Sequence, residues 1–355
     1  MLHASYTRHL LRFRKPAGTS RGILNEKETF FVRIFDEADP AVLGVGECAL
    51  FRGLSADDVP EYEAVLAKVC WDIEKYKNIF QKELRHFPSI VCGLETALAD
   101  LRQGGCRIPF PSEFSAGKNT IRINGLIWMG TKEEMYRQIV EKIEAGFSCI
   151  KLKIGAIDFD EEVELLQSIR REFGKEQIEL RVDVNGAFRP EETLSKIDRL
   201  AKLNLHSVEQ PIKAKQWETM ADLCRRTPLP IALDEELTGV FEKGEKRRLL
   251  QEIRPQYIVI KPSLHGGFSG SQEWIHLAGE LNTGWWITSA LESNIGLNAL
   301  AQWTYTLQNP LPQGLGTGRL FRNNVSPENG ELSVKNGELR IERNSTKTKK
   351  TFGMS

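Results

Sequence analysis

Three carboxylates recur at regular intervals in the second half of the chain. Asp183, Glu209 and Asp234 each end a short apolar run, and they lie 25 or 26 residues apart. If these runs are neighbouring parallel strands, the three carboxylates converge on one point and repel one another unless a cation neutralises them. Hard oxygen ligands suit Mg²⁺. A lone carboxylate in such a position usually caps a helix or pairs with an arginine, whereas three in phase with the repeat predict a metal site.

Three lysines occupy similar strand-end positions. Lys151 and Lys153 lie two residues apart in one apolar run, so both side chains point to the same face of a strand. Lys261 ends a later strand run and can face Lys153 across a barrel. Ammonium groups that lie close to each other and to a dication lower a lysine pKa, which makes one lysine usable as a base. The alternatives are a surface strand for the pair and, for Lys261, a core lysine bridged to a carboxylate.

The elements that must position these groups form a repeat that begins at Ile121. Short apolar strand runs alternate with charged amphipathic helices, with a unit of about 25 to 30 residues. Thr131 and Glu134 form a capping box before the first helix. This alternation favours a closed parallel barrel, with a doubly wound open sheet as the alternative. The strand runs end near Asn124, Ile154, Val184, Glu209, Asp234, Lys261 and Ser289, with a weaker eighth run at 314–320.

The first hundred residues predict an α+β module. Thr29–Asp36 alternates as a strand does, and residues 56–84 have helical spacing. Ser89 is expected to cap a further helix that stops at Gly104 and Gly105. Residues 109–115 are expected to be a linker, because the composition changes after them.

The closing segment returns to short strand runs after Arg322, which we expect to pair back onto the amino-terminal module. Residues 344–350 are expected to be a solvated tail. The predicted organisation is a capping domain of residues 1–115, completed by 322–355, and a barrel domain of residues 116–321.

The composition limits the class of partner. Lys and Arg number 48, as do Asp and Glu, so no net charge draws the chain to nucleic acid or to an anionic membrane. The six cysteines form no C-x-x-C pair, and neither a signal peptide nor a membrane span is apparent. We therefore expect a soluble cytoplasmic protein with a small-molecule partner. The sequence leaves the oligomeric state open.

The motifs at the strand ends resemble those of the enolase superfamily. Their order is similar to that of its muconate-lactonizing subgroup, and most similar to the o-succinylbenzoate synthases. The resemblance covers about residues 121–318 and extends to the flanking module, and it implies a modified (β/α) TIM-like barrel with an α+β capping domain. The motifs are K-L-K-I-G from Lys151, R-V-D-V-N-G from Arg181, V-E-Q-P from Val208, L-D-E from Leu233, I-K-P-S-L-H-G-G from Ile260 and T-S-A-L-E-S-N-I-G from Thr288.

The resemblance also implies roles for the charged residues. Lys153 would remove the proton α to a substrate carboxylate, Lys151 would tune it, and Lys261 would act from the opposite face as a cation or second acid/base. The triad of Asp183, Glu209 and Asp234 would hold Mg²⁺, with Mn²⁺ as an alternative ion. Supporting positions are implied for Asn185 and Glu235, and substrate contacts for Ser289 and for Gly266 in the His265–Gly267 turn.

In that family, syn loss of water from a succinyl-bearing cyclohexadiene carboxylate gives 2-succinylbenzoate for menaquinone biosynthesis. One lysine face suffices, because the base that takes the proton can return it to the leaving hydroxide. Residues 15–22 and 51–55 match the loops that close over the barrel mouth in this superfamily, although the same residues also read as ordinary surface loops.

Other functions remain open at this point. A racemase or epimerase of N-acylamino acids or dipeptides would use Lys153 and Lys261 as opposed bases. Dipeptide epimerases usually carry an Asp-x-Asp motif after the last strand, where this chain has Gly316-Thr317-Gly318-Arg319, which favours the synthase. An aldolase would use Lys261 for a Schiff base without metal. A barrel that only binds ligands would leave the clustered charges unexplained.

Overall fold

The computed structural model describes residues 1–19, 22–327 and 330–343. The expected polar tail at 344–350 lies outside the described residues, as do Ser20 and Arg21 of the predicted loop at 15–22. The rest of that loop is largely strand instead: one strand runs to Thr19 and the next begins at Gly22. Residues 15–19 and Gly22 therefore lie in strands rather than in a loop.

The chain begins with a three-stranded antiparallel sheet in the order β1-β2-β3. The strands are β1 (Leu2–Thr19), β2 (Gly22–Asp36) and β3 (Asp39–Cys48), which confirms the strand predicted at Thr29–Asp36. Apolar residues on the inner face of this sheet pack against the helices that follow. At Gly46 a side chain could not fit, because its Cβ would lie 1.9 Å from the carbonyl oxygen of Gly93.

Residues 56–84 form three short helices rather than one. The helical conformation is interrupted at Asp72, whose φ of −119° and ψ of 44° are not helical. Ser89 does not cap the next helix, since that helix already begins at Pro88 and Asp57 accepts hydrogen bonds from both Ser89 N (2.9 Å) and Ser89 Oγ (2.6 Å). The helices are α1 (Tyr62–Trp71), α2 (Ile73–Tyr76), α3 (Phe80–Glu83) and α4 (Pro88–Arg102).

A short strand, β4 (Ile121–Arg122), precedes a sheet of seven parallel strands in sequential order from β5 to β11. Each of these strands is followed by a helix. The strands are β5 (Gly125–Ile127), β6 (Cys149–Lys153), β7 (Glu179–Asp183), β8 (Ser207–Glu209), β9 (Ile231–Leu233), β10 (Tyr257–Ile260) and β11 (Gly284–Ile287). The helices are α5 (Lys132–Glu144), α6 (Phe159–Glu172), α7 (Pro190–Ala201), α8 (Trp217–Arg226), α9 (Lys243–Ile253), α10 (Gly267–Glu280) and α11 (Asn294–Thr306).

Gln313 and Gly314 join the two edges of this sheet. Gln313 forms a parallel bridge with Ile123 at one edge, and Gly314 forms one with Thr288 at the other. In place of the weak eighth strand run, the structure has only these two bridges. They nevertheless connect the two edges of the sheet, as a closed barrel requires. The first barrel strand begins at Gly125, slightly later than the predicted run that ends at Asn124.

The closing segment does not pair with the amino-terminal sheet as expected. Strands β12 (Glu331–Lys335) and β13 (Glu338–Glu342) form a hairpin that pairs with β4, and Leu339 and Ile341 are buried in the barrel core. The contact with the amino-terminal sheet is made before this hairpin in the sequence, where Phe321 forms an antiparallel bridge with Phe13 of β1. The hairpin binds the barrel because these two apolar residues face it.

Two glutamates, the buried Glu47 and the half-buried Glu95, join the amino-terminal part to the barrel. Glu47 of β3 accepts hydrogen bonds from the backbone N–H groups of Ser293 and Gly296, both at 2.9 Å, at the start of α11. Glu95 of α4 accepts from Phe268 N (2.5 Å) and Ser269 N (3.2 Å) at the start of α10. Both carboxyl groups therefore satisfy helix amides that would otherwise lack partners.

No helix in residues 1–19, 22–327 and 330–343 combines the length and the apolar character that a bilayer span requires.

Candidate active site

The three predicted carboxylates meet at the carboxyl end of the barrel. Asp183 is the last residue of β7, and Glu209, the last residue of β8, lies beside it in register. Asp234 directly follows β9. All three side chains are buried, as the packing of a barrel interior requires. The strand phase inferred from the sequence therefore brings them to one place.

Lysine ammonium groups contact each of these carboxylates. Lys151 Nζ lies 2.5 Å from Glu209 Oε1 and 3.0 Å from Asp183 Oδ2. Lys153 Nζ lies 3.1 Å from the same Asp183 oxygen. On the other side of the site, Lys261 Nζ lies 2.5 Å from Asp234 Oδ2. The three lysine and three carboxylate side chains thus form a largely buried charged network.

Two supporting residues extend this network. Lys153 Nζ donates to Asn185 Oδ1 at 2.6 Å, and Asn185 Nδ2 donates to Glu235 Oε1 at 3.0 Å. Asn185 therefore fixes the lysine with its oxygen and the glutamate with its nitrogen. Its backbone φ of 47° lies in the left-handed region, so the loop that carries it is held in an uncommon conformation.

The charges change the pKa of several members. Burial and the neighbouring charge of Asp183 raise the pKa of Glu209 to about 8. Burial opposes ionisation of Asp183, but the ammonium groups of Lys151 and Lys153 outweigh it and hold the pKa of Asp183 well below its usual range. Burial likewise opposes the charged form of Lys151, yet Asp183 and Glu209 outweigh it and raise the pKa of Lys151.

The pKa of Lys261 is also raised, because the effect of Asp234 outweighs that of burial. The sequence predicted a lowered pKa for one lysine of the pair Lys151 and Lys153 beside a bound dication, and this stays a prediction. Carboxylates lie closer to the ammonium groups of Lys151 and Lys261 than another ammonium does, and opposite charge favours the protonated form.

The donor set suits a hard divalent cation. All three side chains offer carboxylate oxygens, and Glu209 Oε2 is buried without a hydrogen-bond partner. Within the described part of the chain, no three His, Cys, Asp or Glu side chains form a ready-made metal cluster. Lys151 Nζ contacts both Asp183 and Glu209, and Lys261 Nζ contacts Asp234, so ammonium groups take up carboxylate oxygens that a cation would use.

A pocket opens directly above the charged network. Leu24, Phe51 and Leu54 of the amino-terminal part form its apolar wall, together with Trp128 from the barrel. Phe51 and Leu54 belong to the predicted closing loop at 51–55, while Leu24 lies just beyond the one predicted at 15–22. The charged residues at its floor include Lys151, Lys153, Asp183 and Lys261.

Two polar residues of the pocket wall were not singled out from the sequence. Asn124 and Thr288 line the pocket, and their atoms Asn124 Oδ1 and Thr288 Oγ1 are buried without a hydrogen-bond partner. Each lies next to a barrel strand, Asn124 before β5 and Thr288 after β11, and this adjacency is the signal that could have found them. Buried polar atoms without partners are costly, which makes both residues candidates for a polar contact with a ligand.

The hydroxyl group of Ser289, predicted to contact the substrate, forms hydrogen bonds within the protein. Ser289 Oγ donates to Glu292 Oε2 at 2.6 Å and accepts from Leu291 N (2.9 Å) and Thr317 Oγ1 (2.8 Å). Glu292, which the sequence did not single out, also accepts from Ser263 Oγ at 2.7 Å. Ser289 lines the pocket, but its single hydrogen already has an acceptor.

Gly266 caps α10 with a φ of 92° and lies outside the set of described residues that line the pocket. The neighbouring His265 is fully buried, and its Nδ1 accepts from Lys261 N at 3.0 Å. Burial lowers the pKa of His265 to about 3, so its imidazole is neutral. The turn therefore holds the backbone of Lys261, and a substrate contact at Gly266 stays a prediction.

The barrel, with charged residues at the carboxyl ends of its strands, defines a class of enzyme-like folds, and comparison with known protein families identifies the same class. A sequence model described as enolase C-terminal domain-like matches residues 134–344. An o-succinylbenzoate synthase of Desulfotalea psychrophila is 43% identical, over 96% of this chain and 99% of that protein. The chain therefore belongs to the enolase superfamily and, within it, to the o-succinylbenzoate synthase family.

Solved structures agree with this assignment. The crystal structure of MenC from Desulfotalea psychrophila matches with a TM-score of 0.82 and 40% identity, covering 96% of this chain and 99% of that one. An L-Ala-D/L-Glu epimerase of Bacillus subtilis is more distant in sequence, at 25% identity over 83% of this chain and 82% of that protein. A liganded structure of the Bacillus subtilis epimerase has a TM-score of 0.80 at 22% identity, with 96% of each chain covered, which shows a shared fold.

Proposed function

We propose that this chain is an o-succinylbenzoate synthase, which removes water from a succinyl-bearing hydroxycyclohexadiene carboxylate to form 2-succinylbenzoate for menaquinone biosynthesis. The observation that carries the proposal is the match of 43% identity across 96% of the chain to a synthase. The convergence of Lys153, Lys261 and three carboxylates beneath one pocket supports it. A small carboxylate substrate and a cytoplasmic location are part of this proposal.

Asp183, Glu209 and Asp234 would hold Mg²⁺, or Mn²⁺ in its place. When bound, the ion supplies positive charge to the substrate carboxylate, which becomes more negative as the α-proton leaves. Asn185 and Glu235 support the site, since they form a hydrogen-bonded chain from Lys153 Nζ. The barrel floor then presents a base and a cation site to the same end of the substrate.

Lys153 would take the α-proton on its Nζ, and the proton would then join the hydroxide that leaves the adjacent ring carbon. One C–H and one C–O bond break, and the products are the aromatic ring and one molecule of water. Lys261 approaches from the opposite strand, and its raised pKa keeps it an ammonium that can face the developing negative charge. Lys151 holds Asp183 and Glu209 in place through its two ion pairs.

Racemisation of an N-acylamino acid or epimerisation of a dipeptide is the second candidate. Lys153 and Lys261 both line the pocket, which is what a two-base reaction needs. Gly316 and Thr317 line the pocket as well, and neither offers the carboxylate that would bind a substrate ammonium group. The Schiff-base aldolase is disfavoured, because that chemistry needs no metal and leaves Asp183, Glu209 and Asp234 without a role.

The deciding experiment incubates the protein with the cyclohexadiene substrate and Mg²⁺ and follows the absorbance of the aromatic product. We expect rapid formation of 2-succinylbenzoate, abolished by a chelator and restored by added Mg²⁺. Efficient racemisation of N-succinylamino acids without any aromatic product would replace the synthase with the racemase. Full dehydration activity in exhaustively demetallated protein would rule out the proposed metal site.

A further inference from the structure

The strand that carries Lys151 and Lys153 ends in a sharp turn. Ile154 N donates to Asp183 O at 2.9 Å and continues the ladder to β7, after which Gly155 adopts a φ of 96°. A side chain at Gly155 would place its Cβ 2.8 Å from Ala187 Cβ, so the turn is packed tightly against the next loop. The backbone position from which the Lys153 side chain extends therefore depends on the contacts that hold this turn.

Glu162, in the first turn of α6, holds it. Its side chain is buried, and its Oε1 accepts a hydrogen bond from Gly155 N at 2.6 Å. The backbone amides of Ala156 and Ile157 also face the carboxyl group. Successive backbone N–H groups form a concavity that binds anions, and here the anion is a side chain of the protein itself.

The second oxygen of Glu162 is buried and has no hydrogen-bond partner by distance and angle. The nearby positive charge is Lys196, which packs over the rings of Phe159 and Phe188 and pairs with Glu192 at 2.9 Å. A buried carboxyl group with one oxygen unpaired is costly to keep. The cost is offset by the backbone amides of the turn, so the contact is specific to the end of β6.

We propose that Glu162 is a positioning residue for Lys153: it anchors the turn at residues 155–157 and so fixes the strand end from which Lys153 reaches the substrate. This inference rests on the proposed role of Lys153 as the base. Proton transfer demands that Nζ lie within hydrogen-bond reach of the α-carbon, and a displacement of about 1 Å can cost roughly 10²-fold in rate. Substrate binding depends on the rest of the pocket and is less sensitive to this strand end.

The test compares Glu162→Ala and Glu162→Gln with Glu161→Gln, a matched control that removes one exposed charge from the same helical turn. For each folded protein, kcat and KM for dehydration are measured at saturating Mg²⁺, and amide hydrogen exchange is followed in peptides that span residues 149–157. We expect Glu162→Ala to lower kcat by about 10- to 100-fold while KM changes by less than about threefold. Exchange at 155–157 should become faster in the same variant.

Glu162→Gln keeps a carbonyl oxygen for Gly155 N, so it should recover most of the lost kcat, and Glu161→Gln should behave as the wild type. A folded Glu162→Ala protein whose kcat stays within about twofold of the wild type, or whose turn exchanges as slowly, would overturn the inference. Failure of the proposed function is recognised separately, because in that case the wild type itself forms no aromatic product. The exchange measurement would then still report whether Glu162 anchors the turn.

Discussion

Lys153 and Lys261 share a pocket and differ in their surroundings. Lys153 contacts an amide oxygen of Asn185 as well as Asp183, whereas Lys261 makes a short ion pair with Asp234. The first arrangement suits the proposed role of Lys153 as the base, and the second maintains a positive charge on Lys261. The two lysines should therefore respond differently to the same substitution.

Lys153→Ala and Lys153→Arg are expected to lower kcat for dehydration by at least about 10²- to 10⁴-fold, because no other group can take the proton. Lys261→Arg keeps the positive charge and should retain measurable dehydration, while Lys261→Ala should not. The rates are read from the aromatic product, and solvent deuterium exchange at the α-carbon of an N-succinylamino acid is measured beside them. Normal dehydration by Lys153→Ala would refute the proposed mechanism.

The charged residues could be predicted from the sequence because they repeat in phase with the strands. Asp183, Glu209 and Asp234 are recognisable as a set only through their spacing. Asn124 and Glu292 have no such periodic partners, and their importance comes from contacts between segments far apart in the chain. The raised pKa of Lys151 was missed for the same reason, since it depends on which opposite charge lies nearest.

The capping box predicted before α5 is present in the structure. Glu134 N donates to Thr131 Oγ1 at 3.3 Å, and Thr131 N donates to Glu134 Oε2 at 2.9 Å. Thr131→Ala should therefore lower the free energy of unfolding by about 0.5 to 2 kcal/mol. Thr131→Ser is the control, because it keeps the hydroxyl. Denaturant unfolding measures both, and equal stabilities for the two variants would show that the cap contributes nothing.

Glu95 gives the stability of the protein a pH dependence. Burial raises its pKa from about 4.5 to about 7. A folded pKa above the unfolded one stabilises the fold most below pH 4.5, and that contribution is lost as the pH rises through 7. Between pH 5 and 8 the wild type should therefore lose about 2 kcal/mol more stability than Glu95→Gln, at roughly 1.4 kcal/mol for each pKa unit.

Denaturant unfolding at several pH values checks this expectation. Glu83→Gln is a suitable control, because Glu83 is exposed on the short helix α3. It should leave the pH dependence of the wild type unchanged. Parallel stability curves for the wild type and Glu95→Gln across this range would contradict a raised pKa for Glu95 in the fold.

Helices and strands with strong periodicity were predicted correctly, and the departures have local causes. Residues 56–84 carry a helical pattern throughout, but the backbone at Asp72 leaves the helical region and divides it. The sequence predicted Ser89 as a helix cap because the residue that accepts the hydrogen bond from its amide, Asp57, lies far away in the sequence. The pairing of the closing hairpin could not be foreseen, since β4 is only two residues long.

The division of the chain into a capping domain of residues 1–115 and a barrel of residues 116–321 remains our proposal, whereas the hairpin β12–β13, expected to complete the capping domain, packs in the barrel core. The contacts of Glu47 and Glu95 indicate how strongly the two domains depend on each other. Without residues 1–115, the first amides of α10 and α11 would lose their carboxylate acceptors. These acceptors come from the amino-terminal part, which makes the barrel incomplete by itself.

A fragment of residues 116–343, which keeps the hairpin β12–β13 of the barrel core, should therefore lack fixed tertiary structure. We expect weak near-ultraviolet circular dichroism and fast amide exchange in α10 and α11, compared with slow exchange in the full chain. Glu83→Gln in the full chain, which leaves both contacts intact, provides the reference for a harmless change. A cooperative unfolding transition of the isolated fragment would show that the barrel is self-sufficient.

The contacts of Glu47 link thermal inactivation of the protein to its thermal unfolding. Glu47 binds the start of α11, and the residue just before that start, Glu292, orients Ser289 in the pocket wall. The amino-terminal sheet also supplies part of the pocket itself through Leu24. Separation of the sheet from the barrel would thus open the pocket and release a helix in one event. Thermal inactivation and loss of secondary structure should accordingly occur at the same temperature, with no inactive but folded intermediate between them.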